Sequence, residues 1–90
     1  MKILIVDDER AIRNSMSEIL SDEGYEVEVA ENGQQACQMV EKEKYDVIFC
    51  DIKMPVMDGM ETLDRLTSMG IDSAIVMISG HAELTQAVEC

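Results

Sequence analysis

Apolar positions follow two alternating rhythms along the chain. Ile3-Leu4-Ile5-Val6 is an unbroken apolar run, as in a strand covered on both faces. From Ala11 to Glu23, residues Ile12, Met16, Ile19 and Leu20 recur at helical spacing, and Gly24 supplies a stop. Tyr25 to Val29 alternates strictly, which predicts a strand with one polar face. Asn32 and Gln35 have the spacing of a helix cap, with Ala36, Cys37 and Val40 on one face of the helix behind them. Val47 to Cys50 is a third strand and ends on Asp51. Asp58 with Glu61 opens another helix, whose stripe is Met60, Leu63 and Leu66 and whose end is Gly70. Ala74 to Ile78 is a fourth strand, apolar throughout; Ser79-Gly80-His81 is a loop; Glu83 to Cys90 starts a helix with Leu84, Ala87 and Val88 apolar.

Strands alternating with helices predict an α/β fold built on a doubly wound parallel sheet, as one domain over residues 1–90. Right-handed crossovers place helices on both faces. The half-polar second strand belongs at an edge and the wholly apolar first and third belong side by side, so the expected order is 2-1-3-4. Ligands of such sheets bind beyond the carboxyl ends of the strands, where the order reverses, here between strands one and three.

Composition narrows the function classes. With 19 acidic and 7 basic residues the net charge is −12, which opposes direct nucleic-acid binding, since that rests on Lys and Arg neutralising phosphates. No apolar run approaches the roughly 20 residues of a membrane span, and Met1 to Arg10 turns acidic too early for a signal peptide. Cys37, Cys50 and Cys90 lack metal-binding spacing and fit free thiols in a reducing, cytoplasmic setting.

Asp51 at a strand end is either a solvated turn residue or part of a site. In the expected order, Asp7 and Asp8 follow strand one and Asp51 follows strand three, on neighbours about 4.8 Å apart. Three carboxylates so placed repel, and at least one pKa should rise unless a cation intervenes. Oxygen ligands without nearby His or Cys suit Mg2+ rather than zinc. An aspartate beside Mg2+ suits phosphoryl transfer through an acyl phosphate, and the Ser79 hydroxyl after strand four is available to a phosphoryl oxygen. Asp8 read alone is equally a helix start, and Ser79 a strand end; together with Asp7 and Asp51 they favour the chemical reading.

Three stretches carry a resemblance: Ile3-Leu4-Ile5-Val6-Asp7-Asp8-Glu9, Asp51-Ile52-Lys53-Met54-Pro55-Val56-Met57-Asp58-Gly59, and Met77-Ile78-Ser79-Gly80-His81-Ala82. Over its whole length the chain resembles the receiver domain of bacterial two-component response regulators. The resemblance implies a flavodoxin-like fold and a switch in which a partner histidine kinase donates a phosphoryl group to Asp51. It implies Mg2+ held by Asp8, Asp51 and the Lys53 backbone carbonyl, with Asp7 acting through water, and Ser79 as the switch hydroxyl. Ser79-Gly80-His81-Ala82 is most similar to receivers attached to ATPase-type transcription activators, with His81 an exposed loop residue. Pro55 fixes the backbone past the site and Gly59 permits close approach at the start of the third helix. Met54, Met57 and Met60 offer a partner surface, with Met60 assigned to the core.

The family has a fifth βα unit, which carries a lysine at the phosphoryl site. None of these 90 residues corresponds to it, so the expectation is a C-terminally incomplete receiver with an exposed fourth strand that self-associates or exchanges elements with a second copy. Other classes fare worse. A phosphatase of the haloacid dehalogenase type needs a second acid two residues after its nucleophile, where this chain has Lys53, so no small-molecule turnover is expected. A flavin carrier needs a phosphate cradle where Asp7, Asp8 and Glu9 would repel one. An inactive, oligomerising receiver fragment is the alternative kept.

Overall fold

A computed structural model describes residues 1–52 and 59–78. In chain order the elements are β1 (Lys2–Val6), α1 (Arg10–Asp22), β2 (Glu26–Ala30), α2 (Gly33–Lys42), β3 (Val47–Asp51), α3 (Gly59–Ser68) and β4 (Ala74–Ile78). All strand pairs are parallel and the order is β2-β1-β3-β4. The two uninterrupted apolar strands, β1 and β3, therefore sit side by side in the centre, with Val6 opposite Cys50. The half-polar β2 takes an edge, as its alternation requires.

Leu4, Val6, Ala30, Ala36, Val40, Ile48, Cys50 and Leu66 form the core beneath α2 and α3. Ile3 and Ile5 are buried on the opposite face, where α1 lies against β1 and β2. α2 opens as its sequence predicts. Asn32 Oδ1 accepts from the Gln35 N–H at 2.8 Å, and Gln35 Oε1 accepts in return from the Glu31 N–H at 2.6 Å. Gly24 and Gly70, at φ +93° and +70°, turn the chain out of α1 and α3 in the left-handed region that side chains disfavour.

Some expectations are corrected. β2 runs one residue later than the alternation suggested, and α1 begins one residue earlier. Ile19 stays 63% exposed, at the rim of the α1 stripe rather than in the core. Met60 is 56% exposed, so its assignment to the core fails. The inward side of α3 is set by Gly59, which lies against the end of β3. Gly59, Thr62 and Leu66 therefore face in, and Met60 stands about 100° further round the helix. The Asp58 cap, Pro55, Met54, Met57, His81 and the helix expected from Glu83 lie outside the described residues. Among the described residues, no helix is long and apolar enough to cross a membrane.

Candidate functional site

β1 and β3 both end on acids at the carboxyl edge of the sheet. Asp7 follows the last residue of β1 and Asp51 is the last residue of β3. The two strands are direct neighbours, so the acids meet. Asp7, Asp8 and Asp51 each bring one carboxylate oxygen into a group in which all lie within 4.8 Å of one another. Asp7 is fully buried, Asp51 is 1% exposed and Asp8 is exposed, so the cluster has a closed floor and one open side.

The chain around Asp7 is held on several sides. Its backbone N–H donates to the Ala30 carbonyl at 3.1 Å, and its Oδ1 accepts from the Glu9 N–H at 2.8 Å. Its Oδ2 is buried and accepts no hydrogen bond. Burial is the main force pushing the Asp7 pKa up. The Glu9 N–H opposes that rise, and the charges of Asp51, Asp8 and Glu9 add to it. A buried acceptor left open among like charges is costly unless a cation takes it. Three oxygen donors with no softer ligand in the group suit a hard divalent ion, so the residues present fit Mg2+.

Asp51 is positioned by tight backbone packing. The Ile52 N–H donates to the Ile78 carbonyl at 2.8 Å, and the Gly59 N–H donates to the Ile52 carbonyl at 2.7 Å. α3 thus starts against the end of β3. A Cβ on Gly59 would lie 2.4 Å from the Asp51 carbonyl oxygen and 2.5 Å from the Ile52 Cα. Only glycine fits there, as its close-approach role required. The Cys50 thiol beside the site is fully buried. Burial, reinforced by the neighbouring Asp51 charge, pushes its pKa up to about 12, while a hydrogen bond with Thr62 opposes the shift. Cys50 is a core residue and a poor nucleophile. Cys37 is half-buried, and burial raises its thiol pKa too.

Of the residues singled out from sequence, Asp7, Asp8 and Asp51 come together, while Lys53 and Ser79 lie outside the described residues. Sequence reasoning missed Arg13, which is 9% exposed and donates from Nη1 to the Asp7 carbonyl at 2.9 Å. Its signal was present: a cation between Ile12 and Met16, on the side of α1 that the apolar stripe turns inward.

A four-stranded parallel sheet in this order, with an acid trio at its switch point, defines an α/β domain of the doubly wound class. Residues 3–90 match the response regulator receiver domain family, and the chain belongs to it. Response regulator MprA of Mycobacterium leprae (strain TN) is 39% identical over 88 residues, covering 98% of this chain and 39% of the relative. The chain thus spans about two-fifths of that relative's length. Sporulation initiation phosphotransferase F of Bacillus subtilis (strain 168) is also 39% identical over 88 residues, with 71% of it covered. The solved structure of Vibrio cholerae chemotaxis protein CheY4 superposes with a TM-score of 0.81 at 38% identity, covering 98% of this chain and 75% of that one. These relatives do not single out the ATPase-linked subgroup.

Proposed function

We propose that this chain is the phosphoacceptor module of a cytoplasmic two-component system, receiving a phosphoryl group on Asp51 from a phosphohistidine of a partner kinase. The observation that carries this reading is the convergence of the Asp7, Asp8 and Asp51 oxygens within 4.8 Å at the switch point. Asp7, Asp8, Asp51 and the Lys53 backbone carbonyl would hold Mg2+. When bound, the cation neutralises charge on the phosphoryl oxygens. An Asp51 carboxylate oxygen attacks phosphorus, the P–N bond to the donor histidine breaks, and its electron pair stays on the ring nitrogen. The product is an acyl phosphate on Asp51. The buried flank of Asp51 would limit water on that side, and the open side at exposed Asp8 is the one a donor would use. Ser79 would then bond a phosphoryl oxygen and carry the change to the surface that regulates transcription. No small-molecule turnover is part of this role, and the charge of −12 argues against nucleic-acid contact by this segment.

The test is incubation with Mg2+ and a small acyl-phosphate donor, read by intact mass. A single phosphate adduct is expected on the wild type and none on Asp51→Asn. An adduct that persists in the variant places the chemistry elsewhere.

Self-association is proposed at β4. It lies at the end of the described sheet, its residues Ala74–Ile78 carry no charge, and Val76 is 40% exposed. Such an edge is a template for another strand. A concentration-dependent dimer in sedimentation is the expected result, and a stable monomer at micromolar concentration overturns it.

A further inference from the structure

The proposed phosphoacceptor chemistry leaves Arg13 unused, although it is the one basic residue buried among the described residues. Its side chain is 11% exposed. Arg13 lies in the first turn of α1, where its backbone N–H makes an intrahelical bond to the Glu9 carbonyl at 3.1 Å. Helical side chains lean toward the amino terminus of their helix. This one therefore reaches back over Glu9 and Asp8 to the end of β1. There Nη1 donates to the Asp7 carbonyl at 2.9 Å, a buried bond across six residues. Nη2 lies 3.7 Å from Glu31 Oε1, in the connection between β2 and α2.

Burying a guanidinium is costly, and a hydrocarbon side chain would fill the same space without that cost. What arginine adds is geometry: a planar fork with donors aimed in two directions at once. One arm holds the peptide that joins Asp7 to Asp8, and the other ties that peptide to the neighbouring connection. The Asp7 carboxylate is held by the Glu9 N–H and its backbone by the Ala30 carbonyl. With Arg13 on its carbonyl as well, Asp7 keeps Oδ2 as its open atom.

We propose that Arg13 is a positioning residue for the acidic pocket: by clamping the Asp7 carbonyl it fixes the Asp7–Asp8 peptide, so that both carboxylates meet Asp51 in the geometry a divalent cation needs. This rests on the functional reading above and assigns Arg13 no contact with the cation or the phosphoryl group. Groups that orient metal ligands typically contribute roughly 10–100-fold to metal affinity.

Calorimetric titration of the chain with Mg2+ tests the assignment. Arg13→Met should bind Mg2+ at least tenfold more weakly than wild type, within the range for such groups. Arg13→Lys keeps the charge and one donor direction, so it should fall between them. Leu66→Ala, in the core and about two turns along α3 from Gly59, is a destabilised control and should keep wild-type affinity where it remains folded. A second readout needs no metal: amide hydrogen exchange at Glu9, which reports the bond to Asp7 Oδ1, should quicken in Arg13→Met relative to the β1 amides. If Arg13→Met does not fold, Arg13→Lys carries the comparison. Wild-type affinity in either Arg13 variant, or an equal loss in Leu66→Ala, overturns the positioning role. A wild type that binds no Mg2+ overturns the functional reading itself and the positioning role with it, and the first titration shows this before any variant is compared.

Discussion

Lys2, at the amino end of β1, lies among partners. Its ammonium pairs with Glu43 and, at 3.5 Å, with Glu28, and it stands 5.5 Å from the centre of the Tyr45 ring. Its backbone N–H donates to Asp46 Oδ2 at 2.7 Å, and the Tyr45 hydroxyl donates to Glu28 Oε1 at 2.6 Å. Asp7, just past the other end of the same strand, meets Asp8 and Asp51 instead. The same sheet thus pairs unlike charges at one end and crowds like charges at the other. At the paired end charge supports the fold. At the crowded end it opposes the fold, and the chain at the two strand ends is held by the bonds of Asp7 to Glu9 and Ala30 and of Ile52 to Ile78 and Gly59. Crowding tolerated at one end and resolved at the other is what the proposed site would require.

Loosening the backbone at the crowded end should have the largest effect. Gly59→Ala sets a Cβ 2.4 Å from the Asp51 carbonyl oxygen, and backbone cannot yield as a flexible side chain does. The expected loss is about 3 kcal/mol, the upper part of the range for overpacking, measured by urea denaturation. A loss below about 1 kcal/mol would show that α3 moves freely away from β3.

Next in size is relief of the repulsion. Asp7→Asn removes one charge from the cluster and offers an amide donor to its neighbours. Without metal at neutral pH the variant should be more stable, and a gain of about 1 kcal/mol would raise the melting temperature by about 4–8 °C. Added Mg2+ should stabilise the wild type more than the variant, since stabilisation by a ligand follows its affinity. The pH dependence has a definite sign. The Asp7 pKa is raised in the fold, chiefly by burial, so its favourable contribution is complete below the ordinary aspartate value of about 3.9. That contribution is lost as pH rises through the raised value. The metal-free difference between variant and wild type should therefore shrink on acidification. A variant no more stable than wild type at neutral pH would mean that the crowding costs nothing.

How much of this was legible in sequence depends on where the information lies. Strand order followed from local patterning, because a strand buried on both faces must be apolar on both, and Ile3–Val6 and Val47–Cys50 are. The acid trio followed from that order, since each acid sits at a strand end. Met60 was misread because helical spacing fits two stripes on α3, 59/62/66 and 60/63/66. The choice between them is made by Gly59 packing on the end of β3, a contact between separate elements that no local pattern contains. Arg13 escaped for the opposite reason. Periodicity placed it inward, but the usual expectation that arginine is exposed overrides periodicity unless a buried acceptor is known, and the Asp7 carbonyl is revealed only by the fold. The paired end was invisible as well: Lys2, Glu28, Glu43 and Tyr45 are scattered along the sequence and meet only in three dimensions.

The smallest effect belongs to that paired end. Tyr45→Phe keeps the ring, which is 4% exposed, and removes the hydroxyl that donates to Glu28. The Glu28 side chain is 39% exposed, so water replaces much of the lost bond. The expected cost is about 0.5 kcal/mol, at the lower end of the net range for a hydrogen bond and below that for a buried bond to a charged group. Its pH dependence should run opposite to that of Asp7. The Tyr45 bond is the main cause of the lowered Glu28 pKa, with burial opposing and Lys2 assisting. A lowered carboxylate pKa contributes stability that is present above the ordinary glutamate value of about 4.3 and is lost as pH falls through the lowered value. The gap between wild type and Tyr45→Phe, followed by denaturant melts from neutral to acid pH, should therefore narrow on acidification. A gap that stays constant would show that the hydroxyl contributes equally whether or not Glu28 is charged, and the contrast between the two ends of the sheet would then rest on geometry alone and not on charge.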